Sequence, residues 1–237
     1  ETFEVLINCS AYTAVDAAED DKAGATALNV DAVKHLLEAC RQKDVFLIHV
    51  STDYVFDGSA TRPYSEEDVC NPQSVYGHTK RAGEQLVLDS GAPSLVVRTS
   101  WLYSPFGKNF YKTIRQRLEA GAPLQVVNDQ KGVPTSALDL ARALMYLAEG
   151  HAQVTKPELL HVSNTCPTTW YDFAVAIGKT VAPNQPIASV DSSAFKTKAK
   201  RPAYSVLSTE KLEKEFGYAM RPWQEGLTEV LGLPIEE

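Results

Sequence analysis

Tyr76-Gly77-His78-Thr79-Lys80 sets a phenol and an ammonium four residues apart. On a helix, positions i and i+4 lie on one face, so the two groups can share a site. A free tyrosine titrates near pH 10, and a fixed positive charge beside it favours the phenolate and lowers that value. A phenol tuned in this way is a usable proton donor near neutral pH. Spacing alone is weak support. The chain has 10 tyrosines, so one chance Tyr-x-x-x-Lys match is unsurprising, and a surface tyrosine lying along a lysine stem reads equally well. Context shifts the balance. The pair follows, one crossover later, an apolar run that ends in Ser51-Thr52-Asp53. A hydroxyl at that strand end could bond the same carbonyl oxygen that Tyr76 protonates. Two donors converging on a developing alkoxide form an oxyanion-stabilising arrangement.

The elements that hold these groups follow from periodicity. Val5-Leu6-Ile7-Asn8 reads as a buried strand, followed by a small polar loop from Cys9 to Thr13. Between 17 and 42 the pattern is helical, with Val30, Val33, Leu36, Leu37 and Cys40 on one face. A strand covers 45–50. A loop with Gly58, Pro63 and Pro72 follows, and then a helix from about Ser74 to Leu88, ended by Gly91-Ala92-Pro93. Residues 95–99 form a third buried strand. This alternation predicts an α/β fold: a parallel sheet with helices on both faces and ligands beyond the carboxyl ends of the strands. That rule lines up 9–13, 51–53 and 99–103 along one rim. After Pro105 the rhythm loosens: helices at 109–120, 137–148, 170–181 and 208–216, strands at 124–127 and 159–162, and a turn at Gly132-Val133-Pro134. The expected division is a sheet domain of 1–104 and 134–165 and a smaller α/β lobe of 105–133 and 166–237.

Bulk properties narrow the function classes. The chain has 237 residues, 44% hydrophobic and 22% charged, enough for one large domain or two small ones. A net charge of -7 argues against a broad nucleic-acid surface, which needs a basic face. No run approaches the roughly 18 apolar residues of a membrane span, and no secretory signal is visible. Cys9, Cys40, Cys70 and Cys166 are far apart. They read as buried or semi-buried free thiols of a cytoplasmic protein. The five histidines show no metal spacing, and no metal is expected.

Six separated segments, in order, resemble one family. They are Ile7 to Asp16, Ser51-Thr52-Asp53-Tyr54-Val55-Phe56-Asp57-Gly58 with Val75 to Lys80, Arg98 to Tyr103, Asp129 to Thr135, Thr168 to Asp172, and Arg201-Pro202 through Lys211. The pattern is similar to the extended short-chain dehydrogenase/reductases, and within them to the dTDP-4-dehydrorhamnose reductase family. The resemblance implies a Rossmann-like sheet domain with a substrate lobe. It also implies NADPH-dependent reduction (NADH remaining open) of the C4 keto group of dTDP-4-dehydro-6-deoxy-L-mannose to dTDP-L-rhamnose. In that reading Tyr76 donates the proton, Lys80 holds the nicotinamide ribose and lowers the Tyr76 pKa, and Thr52 polarises the carbonyl. Ser10, Ala11 and Ser51 line the cofactor with Tyr76 and Lys80. Val15, Asp53, Tyr54 and Trp101 contact the sugar, and Asn109-Phe110 reaches toward a substrate phosphate. The partner is thus a dTDP-linked deoxy-sugar, with neither nucleic acid nor membrane, and a homodimer is an allowed assembly.

Plainer roles compete. Thr52 could merely cap a helix or end a strand, Asp53 could be a solvated loop acid, and Trp101 could cover the sheet edge. Trp170, beside Tyr171 and Phe173, reads as core. One departure from the family is plain: no G-x-x-G-x-x-G or G-x-G-x-x-G turn appears among the 13 glycines. A strand-turn-helix-strand unit takes thirty or more residues, so about 50 of the family's residues are expected to be absent, the first βαβ unit among them. These residues by themselves are then expected to bind the cofactor poorly. Two other readings stay open: a different nucleotide-sugar reductase or epimerase, and a non-catalytic regulatory relative. Val15, Tyr54 and Trp101 together favour the sugar reductase over the first. Joint retention of Thr52, Tyr76 and Lys80 argues against the second.

Overall fold

The structure, a computed structural model, describes residues 3–234. In chain order its strands are β1 (Val5–Asn8), β2 (Phe46–Thr52), β3 (Ser94–Thr99), β4 (Leu102–Tyr103), β5 (Leu124–Val127), β6 (Lys131–Gly132), β7 (Thr135–Ser136), β8 (Pro157–His161), β9 (Thr168–Thr169) and β10 (Ile187–Val190). Its helices are α1 (Val15–Ala18), α2 (Lys22–Thr26), α3 (Ala32–Lys43), α4 (Val75–Leu88), α5 (Phe110–Glu119), α6 (Ala137–Glu149), α7 (Trp170–Val181), α8 (Glu210–Phe216) and α9 (Trp223–Leu231). A π-helical turn, Ala27–Asp31, joins α2 to α3.

The main sheet is wholly parallel, in the order β1-β2-β3-β8. Successive side chains alternate between its faces. Phe46, Ile48, Leu95 and Val97 therefore pack with Leu140, Ala143, Leu144 and Leu147 of α6. Leu47 and Val96 pack on the other face with Val33 and Cys40 of α3 and Val87 of α4. Each large apolar side chain so buried contributes about 1.5–3 kcal/mol. In the β2–β3 register Thr52 lies beside Thr99, which brings the two strand ends, and Trp101 just beyond, onto one rim.

A second core forms from the later segments. Tyr111, Ile114 and Leu118 of α5 meet Phe173 and Ile177 of α7, Leu124 and Val126 of β5, and Trp223, Leu227 and Val230 of α9. Short ladders stitch this part together: β5 with β10, β4 with β7, and β6 antiparallel to β9.

Several expectations are corrected here. The helix read over 17–42 is broken. Asp21 caps a new start at α2 by accepting from Gly24 N at 2.9 Å, and the π turn interrupts the α-helical ladder ahead of α3. Gly132 belongs to a strand rather than a turn, because Lys131 and Gly132 pair with Thr169 and Thr168. Helix α9 and strands β4, β7, β9 and β10 lie outside the elements expected from the sequence. All four cysteines are free, but Cys9 and Cys166 are exposed, not buried.

Candidate active site

Helix α4 positions the candidate reacting groups, Tyr76 and Lys80. Ser74 caps it by accepting from Gly77 N at 3.1 Å, and Glu19 accepts from Val75 N at 2.8 Å, satisfying two of the helix's free amides. Its buried residues are Tyr76, Gly77, Thr79, Lys80, Gly83, Glu84 and Val87. The spacing is that of an apolar face, yet four of the five side chains beyond the two glycines are polar. Gly83 lets the helix approach the π turn: a Cβ there would lie 2.3 Å from Asn29 O.

The Thr52 hydroxyl is near enough to the Tyr76 phenol to pull its pKa down. It also accepts from Tyr54 N at 3.2 Å and donates to Asp53 Oδ1 at 3.1 Å. Thr52 therefore does cap the short helical turn Asp53–Val55, and it faces Tyr76 as well. Asp53 is buried, not a solvated loop acid. Burial pushes its carboxyl up to about 6, against the pull of the Ser205 and Thr52 hydroxyls. Val15, Tyr54 and Tyr76 share one apolar cluster, with the two rings 5.5 Å apart, edge to face.

Burial also pushes the Tyr76 phenol above its ordinary value. The Thr52 hydroxyl pulls the other way, while the nearby Asp53, Tyr54 and Glu84 add to the rise. The lowering expected from Lys80 is not what this geometry gives. The Lys80 ammonium is turned onto Val50 O at 2.7 Å, and its own pKa is brought down to about 8 by burial, with Glu84 and Cys9 opposing. Tyr76 is thus held protonated.

Beneath this pair sits a network that the sequence reading missed. Glu84, fully buried, takes Arg98 Nε and Nη2 on its two oxygens, both at 2.8 Å. Arg81 adds a contact at 2.9 Å, and Ser51 lies beside the same carboxylate. Burial alone would raise the Glu84 carboxyl, but these donors hold it below its usual range. The signals were present: Glu84 continues the four-residue spacing of Tyr76 and Lys80, and Arg98 is a charge directly after the apolar run Leu95-Val96-Val97, within the same strand. Asn29 was missed too. Its amide takes Tyr12 N at 2.8 Å, gives to Tyr12 O at 3.2 Å, and gives to Thr79 Oγ1 at 3.0 Å. It ties the 9–13 loop to α4. Further along that loop, exposed Ser10 is held by Asn8 Oδ1, which accepts from its amide at 3.1 Å and its hydroxyl at 2.6 Å; Ala11 is half-buried.

Trp101 stands apart from the Thr52–Tyr76 cluster. Its φ of 47° is left-handed, a conformation that costs about 1–2 kcal/mol for a residue with a Cβ. Its indole is stacked on Trp170, with centroids 3.6 Å apart and planes 8° from parallel. Trp170 is partly buried at the margin of the second core, as its neighbours suggested, but it also faces the rim. Arg201 bridges the parts: it gives Nη1 to Tyr54 Oη at 3.1 Å and Nη2 to Asp16 Oδ2 at 2.7 Å. A cleft of about 720 Å³ runs beside Trp170, Phe110 and Val126 and is lined by Arg117, Lys200 and Arg201. Asn109 is engaged locally, capping α5 through Lys112 N at 3.2 Å and giving to Ser104 O at 2.9 Å.

Known proteins are similar to this chain in sequence and fold. The sequence pattern of the RmlD substrate binding domain matches residues 1–233. The chain is similar to a dTDP-4-dehydrorhamnose reductase of Aggregatibacter actinomycetemcomitans, 38% identical over 95% of this chain and 80% of the relative. It is 40% identical to a probable dTDP-4,6-dihydroxy-2-methyloxan-3-one 4-ketoreductase of Streptomyces antibioticus, over 95% of this chain and 76% of that one. The crystal structure of a Bacillus anthracis dTDP-4-dehydrorhamnose reductase in complex with NADP superposes with a TM-score of 0.90 at 33% identity, covering 96% of this chain and 80% of the other. By match, identity and fold, the chain belongs to the dTDP-4-dehydrorhamnose reductase family.

Proposed function

We propose that the protein reduces the C4 keto group of dTDP-4-dehydro-6-deoxy-L-mannose with NADPH, giving dTDP-L-rhamnose. What supports this reading is the placement of Thr52 at the end of β2 near Tyr76 on α4, the helix packed against that strand, with Lys80 one helical turn further on. The names of the 36–38% identical relatives support the substrate. The donor set suits the nicotinamide-ribose end of a dinucleotide. Lys80 uses one of its three N–H donors on Val50 O and keeps two for a ribose diol, and Ser10 offers an exposed hydroxyl on the facing loop. When bound, the reduced nicotinamide supplies the hydride.

The chain's own residues do the rest. Tyr76, protonated in its buried setting, gives its phenolic proton to the C4 oxygen. Thr52 turns its one hydroxyl proton from Asp53 to the same oxygen, so two donors meet the developing alkoxide. Lys80 keeps a positive charge near that oxygen, steadied by Glu84. Val15, Asp53, Tyr54 and Trp101 hold the sugar. The cleft beside Arg117, Lys200 and Arg201 offers apolar walls and three cations, a setting suited to the nucleoside diphosphate. In this division the portion 1–104 with 134–165 serves the cofactor, and 105–133 with 166–237 serves the substrate. A nucleotide-linked substrate of this kind supports action in the cytoplasm.

The test follows NADPH absorbance with the full-length protein and dTDP-4-dehydro-6-deoxy-L-mannose, in native form and as Tyr76→Phe. Turnover by the native protein that collapses in the variant is expected. No NADPH loss in the native protein removes the reading. A second reading, 4-keto reduction of another dTDP-linked deoxy-sugar, is favoured by the 40% identical Streptomyces relative. A higher kcat/KM on such a substrate decides for it.

A further inference from the structure

Resting on the proposed contact between Trp101 and the sugar, we propose that Trp170 is a positioning residue for the sugar nucleotide. It acts through Trp101, fixing that indole in one orientation, without itself touching the reacting atoms.

Four observations carry this. First, Trp101 has a left-handed backbone, φ 47°, which local preference does not supply for a bulky residue, so tertiary contacts must hold it. Second, those contacts are specific. Trp170 covers one face of the indole at 3.6 Å. Gly132 lies against its nitrogen side, where a Cβ would fall 2.4 Å from Cε2 and 2.6 Å from Cζ2. The Trp101 carbonyl accepts from Thr135 N at 3.2 Å. Third, Trp170 is itself braced. It opens α7 just after Thr169, which caps the helix by accepting from Asp172 N at 3.1 Å, and its ring packs on Phe110 at 4.5 Å. Fourth, Gly132 and Trp170 arrive together, because Gly132 pairs with Thr168 in the β6–β9 ladder. Two short strands distant in sequence thus build a seat for one indole. The seat is at the rim, beyond the strand end that pairs Thr99 with Thr52. It makes no contact with Tyr76 or Lys80 among the aromatic and hydrogen-bond partners described.

The pair therefore affects recognition rather than proton transfer. Without Trp170 the Trp101 indole regains rotamer freedom, and the sugar must order it on binding. The loss is the size of one aromatic pair, about fivefold in affinity.

The test measures kcat and KM for the dTDP-linked keto-sugar and for NADPH in the full-length protein and in Trp101→Ala, Trp170→Ala and Trp170→Phe. Circular dichroism accompanies it, since two stacked indoles give an exciton couplet. Trp170→Ala should raise the sugar KM about fivefold, leave the NADPH KM and kcat within about twofold, and abolish the couplet. Trp170→Phe, which keeps a stacking face, should restore the sugar KM, and Trp170→Ala should add nothing to Trp101→Ala; a further rise in the double variant means that Trp170, which also lines the cleft, meets the substrate directly, and overturns the inference. If Trp101→Ala raises the sugar KM while Trp170→Ala leaves it unchanged, the inference fails and the contact of Trp101 with the sugar stands. If Trp101→Ala itself changes nothing, the underlying contact fails and takes the inference with it. A parallel loss of kcat and both affinities in Trp170→Ala marks a merely structural role and also overturns it. Should Trp170→Ala not fold, Trp170→Leu, which keeps apolar bulk without a stacking face, is read by the same criteria.

Discussion

The rim proposed to react and the aromatic rim are built in opposite ways. Thr52, Tyr76 and Lys80 ride on long regular elements, a seven-residue strand and a fourteen-residue helix, fastened by the buried Glu84–Arg98 pair. Trp101 and Trp170 sit beside two-residue strands and are held by a stack and a close glycine. The difference teaches where each kind of precision comes from. A proton donor must stay aligned with one oxygen, and a helix bolted to a sheet provides that. A surface that meets a sugar needs shape, and short ladders can provide shape with few regular hydrogen bonds.

The sharpest way to break this contrast is at the phenol. Tyr76→Phe should lower kcat by about 10²–10⁴-fold, the usual worth of a positioned acid, with an unfolding midpoint close to the native one; stopped-flow NADPH oxidation and thermal melts measure the two. Next comes the fastening. Glu84→Ala leaves the Arg98 guanidinium buried without its partner and should cost about 3–5 kcal/mol of stability by urea unfolding. An unchanged midpoint would show that the pair does not hold α4.

Acid should weaken the sheet side in particular. His49 of β2 and His161 of β8 are held neutral, each pushed down to about 3, by burial and then by a neighbouring cation, Lys80 for the first and Arg98 for the second. The unfolded chain takes up a proton at each near pH 6.5, and the folded one does not until about pH 3. Their contribution is therefore complete above pH 6.5 and is lost as pH falls toward 3, by at most about 1.4 kcal/mol per pH unit for each histidine. Urea midpoints measured across that window, with and without His161→Phe, give the slope per group. The smallest effect belongs to the aromatic rim. Gly132→Ala pushes a methyl into the Trp101 indole and should cost about 1–3 kcal/mol, with the sugar KM rising more than the NADPH KM.

The regular elements were legible in the sequence because they repeat. The alternating blocks around 5–8, 46–52 and 94–99 and the stripe on α4 have a period that a single chain reveals. The rim followed from strand ends and from the spacing of Tyr76 and Lys80. What escaped lacks a period. Strand β6 is two residues long, and Gly132-Val133-Pro134 carries the composition of a turn. The Trp101–Trp170 stack joins residues 69 positions apart (170 less 101), and no local pattern announces it. The pKa of Tyr76 escapes the sequence for a related reason: spacing to Lys80 is visible there, while the burial of the phenol and the nearby charges of Asp53 and Glu84 are not.

The π turn at Ala27–Asp31 has a consequence for how the chain tolerates change in length. Such a turn carries one residue more than an α-helix needs over the same rise. Removing one residue there, Leu28 for example, which is exposed, lets an unbroken helix run from α2 into α3 with Val33 and Cys40 still facing the sheet. The fold would accept the shorter chain. Asn29 lies in that turn, four residues ahead of Val33, and its amide ties Tyr12 of the loop ahead of α1 to Thr79 of the helix that carries the phenol. The point at which the chain can shorten is thus also the point at which the loop ahead of α1 is fastened to α4.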